Sequence, residues 1–300
     1  MSDNYETIKI GTASEFLAAL RPSDSRWLGQ RWSSPWIFRG HGDIRWSLTP
    51  SAWRPTTQAD TQFEKIFNNI DHAQIQLTLK DNGDLLSGVD RERVQALIAQ
   101  RWFEHAQAQT FTSLADELGI HVPGGHLPQR FSCEIALSAD WNPHPALALA
   151  QHHGMATRLL DWTQNPLFAA FFAAEDPIDD NGSIAVWALK THQFFFKRMW
   201  VQYNVPRSQV GFLHAQAGLF TYHRSADEKF AKNGKWPRME EDCQAMYLKK
   251  LVLPSSEAGE LRRLLFAEGV SRVHLMPTLD NICHTLRTVW RDTENTRPTP

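Results

Sequence analysis

The sequence predicts an α+β fold, a mixed or antiparallel sheet with packed helices and a helical insertion. Two observations carry that expectation. Short apolar runs such as WIF, SIAVWAL, GLFTYH and LKKLVLP recur along the 300 residues, bounded by turn-forming glycine, proline and asparagine. Between them lie segments of varied length with apolar residues at three- and four-residue spacing, which is helical periodicity. A hydrophobic fraction of 42% is enough for a sizeable core.

In chain order, TASEFLAAL (residues 12–20) reads as a short helix, with Thr12 or Ser14 as cap and Glu15 in its first turn. SPWIFRGHGD reads as a strand ending at Arg39, with Gly40 and Gly42 opening a tight turn. Residues 58–115 carry helical periodicity, interrupted by the turn sequences KDNGD and SGVD. With the following proline- and glycine-rich loop HVPGGHLPQ, residues 58–140 are expected to be a helical insertion within one domain spanning 1–285.

NPHPALALAQHHG predicts a helix from about Pro145 to His152, closed by Gly154. TRLLDW is short and apolar, and DWTQNP turns into a helix with Pro166 at its first position, where a missing N–H costs nothing. That helix, LFAAFFAAE, is apolar nearly all round and should be buried. SIAVWAL, GLFTYH and MYLKKLVLP follow as strands, AGELRRLLFAEG as a helix stopped by Gly269, and SRVHLMP as a last strand. Residues 286–300 read as a polar tail that frays at its end.

Charge excludes some partners. With 31 basic and 33 acidic residues, the net charge of −2 leaves room for only a local nucleic-acid-binding patch. No run approaches the roughly 18 apolar residues of a membrane span, and no secretory signal opens the sequence. Cys133, Cys243 and Cys283 are too scattered for a disulfide framework or a cysteine zinc site, so a cytoplasmic location without metal is expected.

Three clusters could carry chemistry. In WIFRGHGD, Arg39 at a strand end presents a rigid fork suited to phosphate or carboxylate, and Gly40 would let a ligand near the backbone. An internal ion pair, with Asp161 for example, is the structural alternative. In QHHGMATRLLDWTQN, residues His152, His153, Arg158, Asp161, Thr163 and Asn165 lie between strongly apolar flanks, so each must pair with a neighbour or a ligand. Their structural alternatives are helix-end histidines, an Arg158–Asp161 pair, and Thr163 and Asn165 as a helix cap. In HAQAGLFTYH, Gln216 offers both donors and an acceptor to a polar ligand.

These blocks resemble the FRG domain family, named for a Phe-Arg-Gly motif matched here by Phe38, Arg39 and Gly40. QHHGMATRLLDWTQNPLFAAFFA, QAGLF and the helix–strand–proline segment LRRLLFAEGVSRVHLMPTLDNI extend the resemblance over about residues 12–285. A more distant similarity is to ADP-ribosyltransferases, in which such an arginine grips the phosphates of NAD and a strand bearing Ser or Thr leads into an A-x-x-F-A helix. That similarity implies a phosphate-gripping role for Arg39 and brings Thr163 and Gln216 to the matching positions; in an NAD-using site Gly40, His152, Arg158 and Asn165 would join Arg39 and Thr163 as cofactor-binding residues, and His153 and Asp161 would join Gln216 as catalytic ones. Gln216 stands where those enzymes carry a glutamate; it can hydrogen-bond a ribose but supplies no negative charge, and Glu240 and Glu241 are fallback carboxylates.

Two function classes follow. One is an NAD-consuming enzyme, an ADP-ribosyltransferase or NAD hydrolase of the toxin or phage-defence kind, acting on an unidentified macromolecular acceptor or on water. The other is a non-enzymatic module that binds a nucleotide-type ligand or nucleic acid. Hydrolysis of a nucleotide or RNA with a histidine base is a further enzymatic option.

Overall fold

The computed structural model describes residues 4–29, 34–58, 60–125, 143–191, 199–205 and 211–295. Seven strands, β1 (Glu6–Lys9), β2 (Trp36–His41), β3 (Leu160–Thr163), β4 (Ser183–Lys190), β5 (Trp200–Tyr203), β6 (Gly218–His223) and β7 (Leu248–Pro254), form one sheet in the order β1-β7-β4-β2-β3-β6-β5. Only the β1–β7 pair is parallel, so the sheet is mixed and the fold is α+β.

Side-chain alternation along β2 divides the core. Trp36 and Phe38 face a layer containing α1 (Ala13–Ala19), α6 (Pro166–Glu175) and α9 (Ala258–Ala267). Ile37 faces the other layer, built mainly from the expected helical insertion: α2 (Thr61–Asn69), α3 (His72–Asp81) and the long α4 (Arg91–Glu117). Asp60, Asp71 and Asp90 cap these three helices, each accepting a backbone N–H in the first turn. These helices therefore supply one face of the common core. The second half of the expected loop, from residue 126, lies outside the described residues.

α5 (Ala146–His152) ends at Gly154, whose φ of 89° is the left-handed conformation expected of a helix-stopping glycine. α7 (Gly211–Ala215) leads into β6, α8 (Ala226–Asn233) follows it, and α10 (Leu279–Asn295) closes the described chain.

Three expectations are corrected. β2 does not end at Arg39: Gly40 and His41 still pair with Val186 and Ala185 of β4, and the turn begins at Gly42. SRVHLMP is not a strand. Arg272–Leu275 is a helical turn, closed by Leu275 N–H donating to Ser271 O (3.1 Å) and Met276 N–H to Arg272 O (2.8 Å), with Ser271 Oγ on His274 Nδ1 (2.8 Å). Beyond it, α10 stays helical to Asn295, through part of the expected tail. The short edge strands β1 and β5 carry too few residues for their alternation to be recognised in the sequence.

Candidate functional site

The site arises where the sheet forks. β2 runs beside β4 for six residue pairs but beside β3 for only one, Phe38↔Thr163. Past that pair the two central strands separate, and Arg39 bridges the gap. Its Nη1 donates to the Asp161 carbonyl (2.7 Å), in place of a missing ladder bond, and forms an ion pair with Asp161 Oδ1. Its Nε donates to His41 Nε2 (3.1 Å). Arg39 and Asp161, far apart in sequence, thus share one cleft of about 260 Å³, as the sequence reading anticipated, and they do so as the internal ion pair that was the structural alternative for Arg39.

Polar groups of the cleft come from four elements. Arg39 belongs to β2, His152 and Gln151 to the end of α5, Asp161 and Thr163 to β3, and Gln216 to the turn before β6. Apolar walls are formed by Phe172 of α6, Phe220 of β6, Leu213 and Met276, with Trp162 beneath. Trp162 is itself fixed by donating from Nε1 to Thr221 Oγ1 (2.9 Å).

Protonation states follow from these surroundings. Asp161 is 59% exposed to the cleft, yet the enclosing walls still disfavour its charge; Arg39 and Arg54 outweigh that penalty and hold the carboxyl below its ordinary value. His41 is buried, and burial followed by repulsion from Arg39 pushes it well below the usual imidazole range, so it is a neutral acceptor. Burial, then neighbouring His153, also lower His152 against the pull of Asp161. At neutral pH the cleft presents Arg39⁺, Asp161⁻ and a neutral His152.

Several predicted residues lie elsewhere or act structurally. Arg158 is 3% exposed and does not line the cleft; it pairs with Glu104 (2.5 Å) and Asp227 (3.2 Å), and Arg101 also reaches Asp227 (2.5 Å). Burial works against the charge of Arg158, but Asp227 and Glu104 hold it above its ordinary range. This is an ion pair with other partners than the Arg158–Asp161 pair given as the structural alternative, which does not form.

His153 sits exposed at the C-cap of α5, edge-on to His152 and away from the cleft lining. Asn165 caps α6, its Oδ1 accepting from Leu167 N–H (3.0 Å). Thr163 donates to the Gln216 carbonyl (2.7 Å) and accepts from Asn165 N–H (3.1 Å), so it ties the strand end to the Gln216 turn. Glu240 accepts from Leu48 N–H (3.0 Å) and Glu241 is exposed on the same helical turn; neither fallback carboxylate reaches the cleft.

Gly40 has a packing role. A Cβ there would fall on the Ala169 carbonyl oxygen and lie 2.6 Å from Ala173 N, because α6 crosses β2 at that point. The glycine of Phe-Arg-Gly admits a helix backbone there.

The segment from His152 to the end of α6 thus supplies Asp161 and the helix that Gly40 admits, and it bears the comparison. Residues 128–182 match the FRG domain. No curated protein and no solved structure matches the chain. The FRG match contains α5, β3 and α6, whereas Phe38, Arg39 and Gly40 lie far upstream and meet the FRG segment only through the fold. Among the described residues, no group of three or more His, Cys, Asp or Glu side chains could hold a metal ion, and no helix is long and apolar enough to cross a membrane.

Sequence reasoning missed Gln151, His41, Arg54 and the aromatic walls. Gln151 stood beside the singled-out histidines, but nothing local distinguishes a cleft-facing glutamine at a helix end from a solvated one.

Proposed function

We propose that this protein is an NAD-consuming enzyme whose cleft receives the nicotinamide–ribose half of the dinucleotide. The observation that carries this reading is the Arg39–Asp161 pair at the fork of the sheet, since each partner keeps one terminal atom free of hydrogen bonds with the described residues, Nη2 and Oδ2 respectively. Such a pair offers a cationic donor to a phosphate and an anionic acceptor to a sugar hydroxyl within one site. Phe172, only partly buried, supplies flat apolar surface for an aromatic ring. At about 260 Å³ the cleft is smaller than the roughly 300–1,000 Å³ of typical ligand pockets, which suits a nucleoside-sized moiety with its pyrophosphate at the mouth.

In this reading the negative charge that Gln216 cannot supply comes from Asp161. As the bond between nicotinamide and ribose breaks, positive charge develops on the sugar, and a carboxylate fixed beside it favours that state. Gln216 orients a ribose hydroxyl, and neutral His152 accepts a hydrogen bond from the ribose or from the nicotinamide amide. Nicotinamide leaves with the bonding electrons, and the ribosyl carbon is taken by water or by a nucleophile on a macromolecular acceptor.

A second reading, a module that binds a nucleotide without turnover, is favoured by the amide at Gln216 in the place of a carboxylate. Incubation with NAD and quantification of free nicotinamide separates the two. Turnover that is lost in Asp161→Asn supports the enzyme; saturable NAD binding without nicotinamide release supports the module. Absence of both binding and release would overturn the NAD assignment.

A further inference from the structure

We infer that Gln151 is the positioning residue of this cleft, turning Asp161 so that Oδ1 is engaged by protein while Oδ2 is presented to the sugar of the ligand. This deepens the proposed function and rests on it for the identity of the ligand; the orientation of Asp161 stands on geometry alone.

A directed chain of hydrogen bonds carries the inference. Leu159 N–H donates to Thr157 Oγ1 (3.2 Å), which gives that hydroxyl its donor and turns its own proton outward. The Thr157 hydroxyl donates to Gln151 Oε1, and Gln151 Nε2 donates to Asp161 Oδ1 (2.8 Å). The amide cannot be reversed without cost. Flipping it would set Oε1 against the Asp161 carboxylate, losing the Gln151–Asp161 bond and placing two acceptors in repulsion, while the threonine hydroxyl would have to turn its proton away.

Thr157 is in turn held by Ser51, whose Oγ accepts from Thr157 N–H (3.0 Å) and donates to Thr157 O (3.3 Å). The chain therefore runs from a backbone amide, through a clamped threonine, to one oxygen of Asp161. Arg39 Nη1 pairs with that same oxygen. Two donors converge on Oδ1, and Oδ2 makes no hydrogen bond with the described residues. An oxygen left over at the cleft is an acceptor for a ligand O–H, and its direction is set by the partner on the other oxygen.

Gln151 lines the cleft at the end of α5 and is only partly buried, so its replacement should leave the fold intact. The test uses the full chain with ¹³C-carboxyl-labelled aspartate, following the Asp161 resonance in a pH titration of wild type, Gln151→Leu, Gln151→Glu and Thr157→Val, with thermal melts as the control for folding. Gln151→Leu removes the second donor and should move the Asp161 titration upward; Gln151→Glu sets a second carboxylate against Oδ1 and should move it further. Thr157→Val frees the amide to rotate and should give a smaller shift in the same direction. An Asp161 titration unchanged in Gln151→Leu, with the fold retained, would overturn the inference.

NAD affinity measured on the same proteins should fall about tenfold in Gln151→Leu, the loss expected for one misdirected bond to a charged group. If the titration shifts as expected while wild type binds no NAD, Gln151 stands as the positioning residue and the NAD reading fails. Shifted titrations with unchanged NAD affinity would overturn the claim that Oδ2 addresses the ligand.

Discussion

Arg39 makes three protein contacts through Nε and Nη1, and on the proposed reading Nη2 is the atom that meets the phosphate. Lysine at this position retains the charge but cannot span His41, the Asp161 carbonyl and a phosphate together. Arg39→Lys should therefore weaken NAD binding roughly tenfold to a hundredfold. Stability should fall less than the ~3–5 kcal/mol lost when a fully buried ion pair is broken, because Asp161 faces the cleft and keeps Gln151 as partner. We expect about 1–3 kcal/mol for Arg39→Ala, read by thermal melting beside calorimetric titration with NAD. Full NAD affinity in Arg39→Lys would remove the phosphate role. Protonation supplies a second forecast at this scale. Folded His41 is held well below its ordinary 6.5, so just below that pH the unfolded chain binds the extra proton. Stability is then complete above 6.5 and is lost progressively as pH falls toward the folded value. Asp161, depressed by its arginines, adds a separate loss that begins as pH falls below the ordinary 3.8 and is complete once pH has fallen through its own lower folded value. Urea midpoints should decline below pH 6.5. His41→Gln, which keeps an acceptor for Arg39 Nε, should reduce that slope without abolishing it, since His105, His144 and His152 are lowered too.

Among the elements, α6 lies close against the sheet at Gly40. Its alanine-rich face, Ala169, Ala170, Ala173 and Ala174, is fully buried, and Gly40 removes the last side chain between helix and strand. Gly40→Ala should cost about 1–3 kcal/mol or more, because the Cβ meets backbone atoms that no rotamer change can move. A melting temperature equal to wild type would contradict this. The two adjacent phenylalanines of α6 are expected to separate in behaviour. Phe171 is buried in the core and Phe171→Ala should cost about 3–5 kcal/mol. Phe172 is only partly buried and forms part of the cleft wall, so Phe172→Ala should cost less stability and more NAD affinity. Apolar residues nearly all round marked α6 as buried; they could not show that one of its rings forms a cleft wall, because that depends on where β2 and β3 part.

Across the whole molecule, the long helix α4 is joined to the segment before β3 and to α8 through charge as well as apolar contact. Arg101 and Glu104 of α4, Arg158 before β3 and Asp227 of α8 form a buried network of two cations and two anions beside Trp53. Burial alone would disfavour every member, and each is tolerated because the others are present. Arg158→Met leaves Glu104 without that cation and Asp227 with only Arg101, and should cost about 3–5 kcal/mol, measured by urea denaturation. Because the network ties the insertion to the sheet, tryptophan fluorescence and far-ultraviolet circular dichroism should report one coincident transition in wild type. Two separated transitions would mean that the insertion folds on its own.

The sequence by itself determined the fold class, the helical character of residues 61–117, most central strands, the burial of α6, and several of the residue types that line the cleft. Those features follow from periodicity, turn residues and the presence of charged groups between apolar flanks, all of which are local. It also brought Arg39 and Asp161 under suspicion as partners. What only the tertiary structure decided is which polar residue meets which. Arg158 and Asp161 are three residues apart, yet one joins an internal ion network and the other faces a cleft, because β3 starts between them at Leu160. Gln151, ordinary in sequence, gains its place because the Gly154 turn folds Thr157 back onto it. Gly40, which suggests ligand access when read locally, proves to admit α6. Pairing between distant strands and helices sets these outcomes, and no local pattern records where a sheet will fork.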